Sequence, residues 1–202
     1  MDIPESSFPA ITGVIMAGGI SSRFGSNKAL ALFNNKPVIQ HVADTLSPLF
    51  PSCLLATNTP EAYAFLGLPT VGDIFPGAGP LGGIHAALHA IAEPRAFVAG
   101  CDMPLLDPQL IRFLCTLAEQ DDWDVVLPWP PSGPEPLYAV YSQSALPVIE
   151  KNLKQRNWKL TDTLAELRVR RVEEAELLTV VKDLSTFHNI NRPEDLADIT
   201  GS

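Results

Sequence analysis

A largely apolar run, Ile11–Met16 (ITGVIM), leads without a break into AGGISSRFGSNK, residues 17–28. This junction constrains the fold more than any other feature of the chain. A buried strand enters a glycine-rich loop that carries two cations. Glycines let backbone N–H groups come close to a ligand and turn inward. Successive inward N–H groups form an anion-binding nest. Arg23 offers a flat guanidinium fork and Lys28 a point charge, both suited to phosphate oxygens. The loop therefore suits a nucleoside triphosphate. It is not a Walker A sequence: five residues separate Gly19 from Gly25 instead of four, and Lys28 does not follow the second glycine. P-loop ATPases and GTPases are disfavoured.

Downstream, strand-like and helix-like runs alternate. Strands are expected at Cys53–Ala56, Thr70-Val71, Ala96–Ala99 and Asp124–Leu127. Helices are expected at Pro37–Leu46, Pro60–Leu66 (closed by Gly67), Pro80–Ile91 and Pro108–Ala118, the last capped by Asp107. This rhythm predicts an α/β protein with a three-layer architecture, a mostly parallel sheet covered on both faces by helices. Ligands in such sheets bind at the carboxyl ends of the strands. The second half is less regular: a strand at Leu137–Tyr141, helices at Ser144–Leu153 and Asp162–Leu167, an edge strand at Arg168–Val172 and a terminal helix at Glu194–Ile199. Residues 1–9 read as a loose tail and residues 10–202 as a single domain. The Pro-rich PWPPSGPEP, residues 128–136, reads as a rigid loop between strands.

A net charge of −9 argues against a nucleic-acid partner, which calls for a basic face. A small anionic ligand remains open if local cations or a metal offset the field. No apolar run approaches the ~20 residues that span a bilayer, so no membrane association is expected. The opening MDIPESSFPA has neither the basic nor the apolar region of a signal peptide. Cys53, Cys101 and Cys115 are odd in number and lack CxxC spacing. They read as reduced thiols in a cytoplasmic protein.

PGAGPLGG, residues 76–83, contains a literal G-x-G-x-x-G at Gly77, Gly79 and Gly82, with Asp102 downstream. A dinucleotide reading is weak, because no strong strand leads into the first glycine and Pro80 occupies a turn position. The loop more readily lets backbone amides approach a base or ribose before opening a helix; a glycine-rich turn without a ligand is the alternative. In AFVAGCDMPLL, residues 96–106, a buried strand stops at Asp102. Asp107 already serves as the helix cap, so Asp102 is well placed to hold Mg²⁺; an ordinary turn aspartate is the alternative. Asp73 is a second acid after a short strand, with turn duty equally open. FHNINRPEDL sets Asn189 and Asn191 on alternate positions, hence on one face of an extended segment. Asn191 could simply cap the next helix, whereas Asn189 has no such explanation. His85 and His89 stand at i, i+4, the spacing of paired zinc ligands, but no Glu follows His85. Packing or surface roles account for them better.

Together the AGGISSRFGSNK loop, the GPLGGI segment, the CDMP turn, the PLYAVY strand and the NINRPEDL tail resemble the molybdenum cofactor guanylyltransferase family. These are nucleotidyltransferases with a Rossmann-like fold, and the resemblance runs from Ile11 to Thr200. It implies that GTP and molybdopterin (the molybdenum cofactor) react to give the guanine dinucleotide form and pyrophosphate. It also implies residue roles. Ala17, Gly18 and Gly19 match the backbone that cradles nucleotide. Arg23 and Lys28 match the catalytic triphosphate cations, and Asp102 the Mg²⁺ ligand. Asn58, Asp73 and Gly82 match nucleotide-contacting positions, and Asn189 and Asn191 match positions on the pterin side. Cytidylyl relatives tend to carry Ala at the position of Gly18, so the doubled glycine leans toward guanine. The family commonly has basic residues in the region of Trp158–Leu167, where this chain has only Lys159, with Lys151, Lys154 and Arg156 upstream. An enzyme of this kind implies cofactor-insertion or molybdoenzyme maturation proteins as partners. The rival readings are a cytidylyltransferase on the same cofactor, a sugar-phosphate nucleotidyltransferase and a non-catalytic nucleotide-sensing adaptor.

Overall fold

A computed structural model describes residues 8–18, 27–190 and 195. The strands are β1 (Ile11–Met16), β2 (Leu32–Phe33), β3 (Lys36–Pro37), β4 (Cys53–Ala56), β5 (Thr70–Val71), β6 (Arg95–Gly100), β7 (Val125–Trp129), β8 (Tyr138–Ser142) and β9 (Val169–Glu173). The α-helices are α1 (Val38–Leu46), α2 (Gly79–Ala90), α3 (Pro108–Gln120), α4 (Leu146–Lys154), α5 (Leu160–Leu164) and α6 (Glu174–Leu177). Seven strands form one sheet in the order β5-β4-β1-β6-β8-β7-β9. Only β8 runs against its neighbours; the pairs β4–β5, β1–β4, β1–β6 and β7–β9 are parallel.

Side chains alternate across the sheet, as the period of two requires. Ile11, Ile15, Phe97, Tyr138 and Val140 face a core shared with α1 and α3. Val14, Met16, Val98, Ala139 and Tyr141 face the opposite core, shared with α2 and α4. Every residue of β1 is buried, which explains why its sequence lacks the polar alternation of a half-exposed strand. The expected three layers are therefore present.

Local chemistry sets the joints. The Asp107 side chain accepts from the backbone N–H groups of Gln109 and Leu110 at 2.7 and 3.0 Å, the expected cap of α3. At the far end of α2, Gln143 donates to the carbonyls of Leu88 and Ile91, filling acceptors that a helix terminus leaves open. Gly77 and Gly79 sit at φ +81° and +62°, which a side chain disfavours; they reverse the chain just before α2. The G-x-G-x-x-G is thus a turn into α2, beginning six residues after the end of the short edge strand β5, and not the first βα turn of a dinucleotide fold. A buried cluster joins Tyr138, Thr186 and the Asp107 backbone, with bonds of 3.0–3.2 Å. It ties β8 and the start of α3 to the segment that leads to Asn189.

Phe8 departs from the tail expected over residues 1–9. It is 2% exposed, packs near Phe50, and its N–H donates to the Leu49 carbonyl. Burying the aromatic ring against the core removes apolar surface from water and ties Phe8 to the domain. The β2–β3 hairpin was not expected; Asn34 and Asn35 turn it at positive φ, a signal carried by the Asn-Asn pair. The expected terminal helix at Glu194–Ile199 lies outside the described residues, save Asp195, which is helical.

Candidate active site

The carboxyl ends of β5, β4, β1 and β6 make one continuous edge. β1 and β6 are level there, with Met16 opposite Gly100, and the Cys101 N–H donates to the Met16 carbonyl at 3.1 Å. On the other side, the Ala17 N–H donates to Ala56 and the Thr57 N–H to Val71. Ala17-Gly18, Asn58, Asp73 and Asp102 therefore leave the sheet side by side. From β5 to β6 is three strand spacings, ~14 Å.

Asp102 and Lys28 meet at the β6 end. Asn27 begins the short 3₁₀ turn Lys28–Leu30; its side chain accepts from the Ala29 N–H and donates to the Tyr63 hydroxyl at 2.8 Å. That anchor fixes where the glycine loop returns, and Lys28 Nζ donates from it to Asp102 Oδ2. The two side chains are 25% and 15% exposed, so the pair is shielded but reachable. The Asp102 carboxylate packs against Gly100. A Cβ there would stand 2.6 Å from Asp102 Oδ1, so glycine at the strand end lets the acid fold back over the edge.

Asn58, Asp73 and Gly82 form a second group at the β4–β5 end. Asn58 donates through Nδ2 to Asp73 Oδ2 and accepts from the Asp73 N–H, both at 2.8 Å. Gly82, in the first turn of α2, lies over this pair; a Cβ built there would be 3.9 Å from Asp73 Cγ and 3.1 Å from the Phe75 carbonyl. Ala17 and Gly18 lie between the two groups, and among the described residues nothing comes within 4 Å of a Cβ built on Gly18. Asn189 is half-buried next to Asp102, because the Ile190 N–H donates to the Asp102 carbonyl at 2.9 Å. Ile190 is anchored there against Phe33 and Val38. Gly19, Arg23 and Asn191 lie outside the described residues.

Two features went unread in the sequence. Glu135 sits in the Pro-rich loop read only as a spacer. Burial, and then the charge of Asp102, push its carboxyl up to about 7. It reaches this edge because β8 is antiparallel: the start of β8 meets the end of β6, with the Gly100 N–H donating to Leu137. The acid before PLYAVY was visible, but the strand's direction was not. The second feature is a cavity of about 230 Å³ at the β7–β9 end, lined by Leu127, Trp129, Leu164, Leu167, Val169 and Arg171 among others. The Arg171 guanidinium lies over the Trp129 ring, 4.2 Å from its centre. Cys53, Cys101 and Cys115 are all free thiols, and burial pushes Cys101 up to about 12. No helix of the described residues is long and apolar enough to cross a membrane.

A model of the MobA-like NTP transferase domain matches residues 13–171. A molybdenum cofactor guanylyltransferase from Desulfosudis oleivorans is 39% identical over 188 residues, 93% of each chain. The chain belongs to the MobA-like NTP transferase family. A second relative, from Carboxydothermus hydrogenoformans, is 38% identical over 185 residues, 92% of each chain. Among solved structures, molybdopterin-guanine dinucleotide biosynthesis protein A from Archaeoglobus fulgidus is similar with a TM-score of 0.83 and 28% identity. That likeness covers 94% of this chain and 98% of the other. The family's Rossmann-like fold accounts for the mixed sheet.

Proposed function

We propose that this enzyme transfers GMP from GTP to the terminal phosphate of molybdopterin, giving the guanine dinucleotide cofactor and pyrophosphate. The observation that carries the reading is the Lys28–Asp102 pair at the joint of β1 and β6, beside a glycine-rich strand end. The guanosine lies toward Asn58, Asp73 and Gly82, and the triphosphate runs across Ala17-Gly18 toward Lys28.

The acceptor is a phosphate, already an anion, so the step needs no general base. A phosphate oxygen attacks the α-phosphorus in line; the bond from the α-phosphorus to the bridging oxygen breaks, and that oxygen leaves on pyrophosphate. The protein's task is to hold two polyanions together and offset the charge that builds up. Lys28 leaves Asp102 for the phosphate oxygens, and Arg23 supplies a second cation to the departing pyrophosphate. Asp102 would then hold Mg²⁺, with the nearby Glu135 adding to the local negative charge. A strand-end carboxylate with a second acid nearby suits this ion, which takes one or two carboxylates and fills its remaining positions with water and phosphate oxygens. When bound, Mg²⁺ supplies Lewis-acid polarisation of the phosphoryl oxygens. The pterin stands on the other side of Asp102, near Asn189. The cavity beside Trp129 and Arg171 offers its ring system an aromatic face and a cation. The reaction is placed in the cytoplasm, with cofactor-insertion or molybdoenzyme maturation proteins receiving the product.

Incubation with GTP, Mg²⁺ and molybdopterin tests this reading by product analysis. Guanine dinucleotide cofactor and pyrophosphate should appear in equal amounts. CTP as the better donor would move the enzyme to the cytidylyl branch. A sugar phosphate as the better acceptor would move it to the sugar-phosphate enzymes. Nucleotide binding without pyrophosphate release would make it an adaptor.

A further inference from the structure

His85 raises a problem that the nucleotide site does not solve. Its side chain is 2% exposed, and neither ring nitrogen has a hydrogen-bond partner. Buried polar atoms are rarely left unpaired, because desolvation then goes uncompensated. Its surroundings narrow the explanation. One turn later on α2 the His89 ring lies 4.5 Å from it, centre to centre. Across the helix interface stands Glu150 of α4, with Oε1 at 3.6 Å from His85 Nε2 and 3.0 Å from His89 Nε2. Lys154, one turn along α4, holds the other oxygen, Oε2, at 2.7 Å and so turns Oε1 toward the imidazoles. Phe75 closes the remaining side of His85 edge-on at 5.2 Å.

We infer that His85, His89 and Glu150 form a binding site for a borderline divalent transition metal such as Zn²⁺, separate from the Asp102 site. The geometry carries this. Tetrahedral zinc with bonds of ~2.0–2.1 Å sets neighbouring ligand atoms ~3.3 Å apart. The 3.6 and 3.0 Å separations bracket that spacing, and the three ligand atoms all lie within 4.8 Å of one another. A metal on Nε2 would pair one of the two unpartnered nitrogens of the buried ring. The fourth position would fall to water on the His89 side, which is 42% exposed. Two imidazoles and a carboxylate select zinc, nickel or cobalt over Mg²⁺, which prefers oxygen. Burial, and then the neighbouring His89, hold the His85 pKa below the ordinary imidazole value, leaving a lone pair to donate. The Lys154 charge opposes a dication, but its side chain is 65% exposed and has room to swing away. The site would pin α2 to α4 and so fix the helix whose first turn carries Gly82. The third ligand, 61 residues beyond His89, is what the i, i+4 spacing alone could not supply.

The test uses the full chain, stripped with a chelator and dialysed against Zn²⁺, with bound metal counted by mass spectrometry and Co²⁺ read by visible absorption. One tight equivalent is expected, with tetrahedral Co²⁺ bands and a Tm that rises with Zn²⁺. His89→Ala and Glu150→Gln, both at accessible positions, should bind at least ~100-fold more weakly. Asp102→Asn should bind like the parent, and Lys154→Ala should bind more tightly. The proposal is overturned if the parent takes up no saturable equivalent. It is equally overturned if His89→Ala and Glu150→Gln keep the parent's affinity and Co²⁺ bands. Neither outcome touches the guanylyl-transfer reading, since no nucleotide enters the measurement.

Discussion

The β5-β4-β1-β6 half of the sheet and the β8-β7-β9 half join at one antiparallel pair and present different chemistry along the same edge. In the first half every strand is parallel, and each releases a polar or charged group at its carboxyl end: Asp73, Asn58, the Ala17-Gly18 backbone and Asp102. In the second half a cavity lies against β7 and β9 beside Trp129 and Arg171, and Glu135 is brought in at the seam by the reversed strand. On the proposed reading the first half receives the polyanion and the second the flat heterocycle, and the reaction takes place at the seam, where the Ile190 N–H meets the Asp102 carbonyl.

The largest expected effect comes from the seam itself. Asp102→Asn should keep the parent's circular dichroism and lose ~10²–10³-fold in kcat, the usual cost of removing a charge-stabilising group at the transition state. Parent-like turnover in folded Asp102→Asn would remove the metal role. Next, Trp129→Ala should raise KM for the pterin about fivefold, an aromatic contact being worth ~1 kcal/mol, while the Tm shift caused by GTP stays the same. A loss of GTP binding instead would erase the division between the halves. On the nucleotide side, Asn58→Ala removes both bonds that hold Asp73. The advantage of GTP over CTP in thermal shift, measured with Mg²⁺, should then shrink by ~1 kcal/mol of binding. An undiminished preference would place base recognition elsewhere.

How well each half could be read from sequence follows the same division. Buried parallel strands are short, continuous apolar runs, and Cys53–Ala56 and Thr70-Val71 matched their expected limits residue for residue. The Asp107 cap and the Gly67 stop are local signals and needed no tertiary context. The meeting of Lys28 with Asp102 was legible because both flank strand ends in a fold whose crevice is known in advance. Glu135 and Trp129 were not, because their place depends on the direction of β8 and the register of β7 on β9, which periodicity does not encode. Phe8 was missed because a lone aromatic among Pro and Ser gives no periodic signal. Glu150 was missed as a partner of the histidines because a contact between two helices leaves no mark on either one's spacing.

The smallest expected effect concerns the seam's second acid. The folded pKa of Glu135, about 7, lies above its ordinary 4.5. At low pH the group is neutral folded or unfolded; as pH climbs between those values, charging is harder in the fold, and stability falls. Glu135→Gln cannot charge. In chelator-treated protein its Tm relative to the parent should therefore rise through that window and level off above it. A constant difference from pH 4 to pH 8 would mean that neither burial nor Asp102 raises the Glu135 pKa.

The most direct measurement of the central claim is a crystal structure of the enzyme with GTP and Mg²⁺. The triphosphate should lie over the Ala17-Gly18 amides, with Lys28 on phosphate oxygens, the metal on Asp102 and guanine beside Asn58 and Asp73. A nucleotide bound elsewhere, with the Lys28–Asp102 pair intact, would contradict the account.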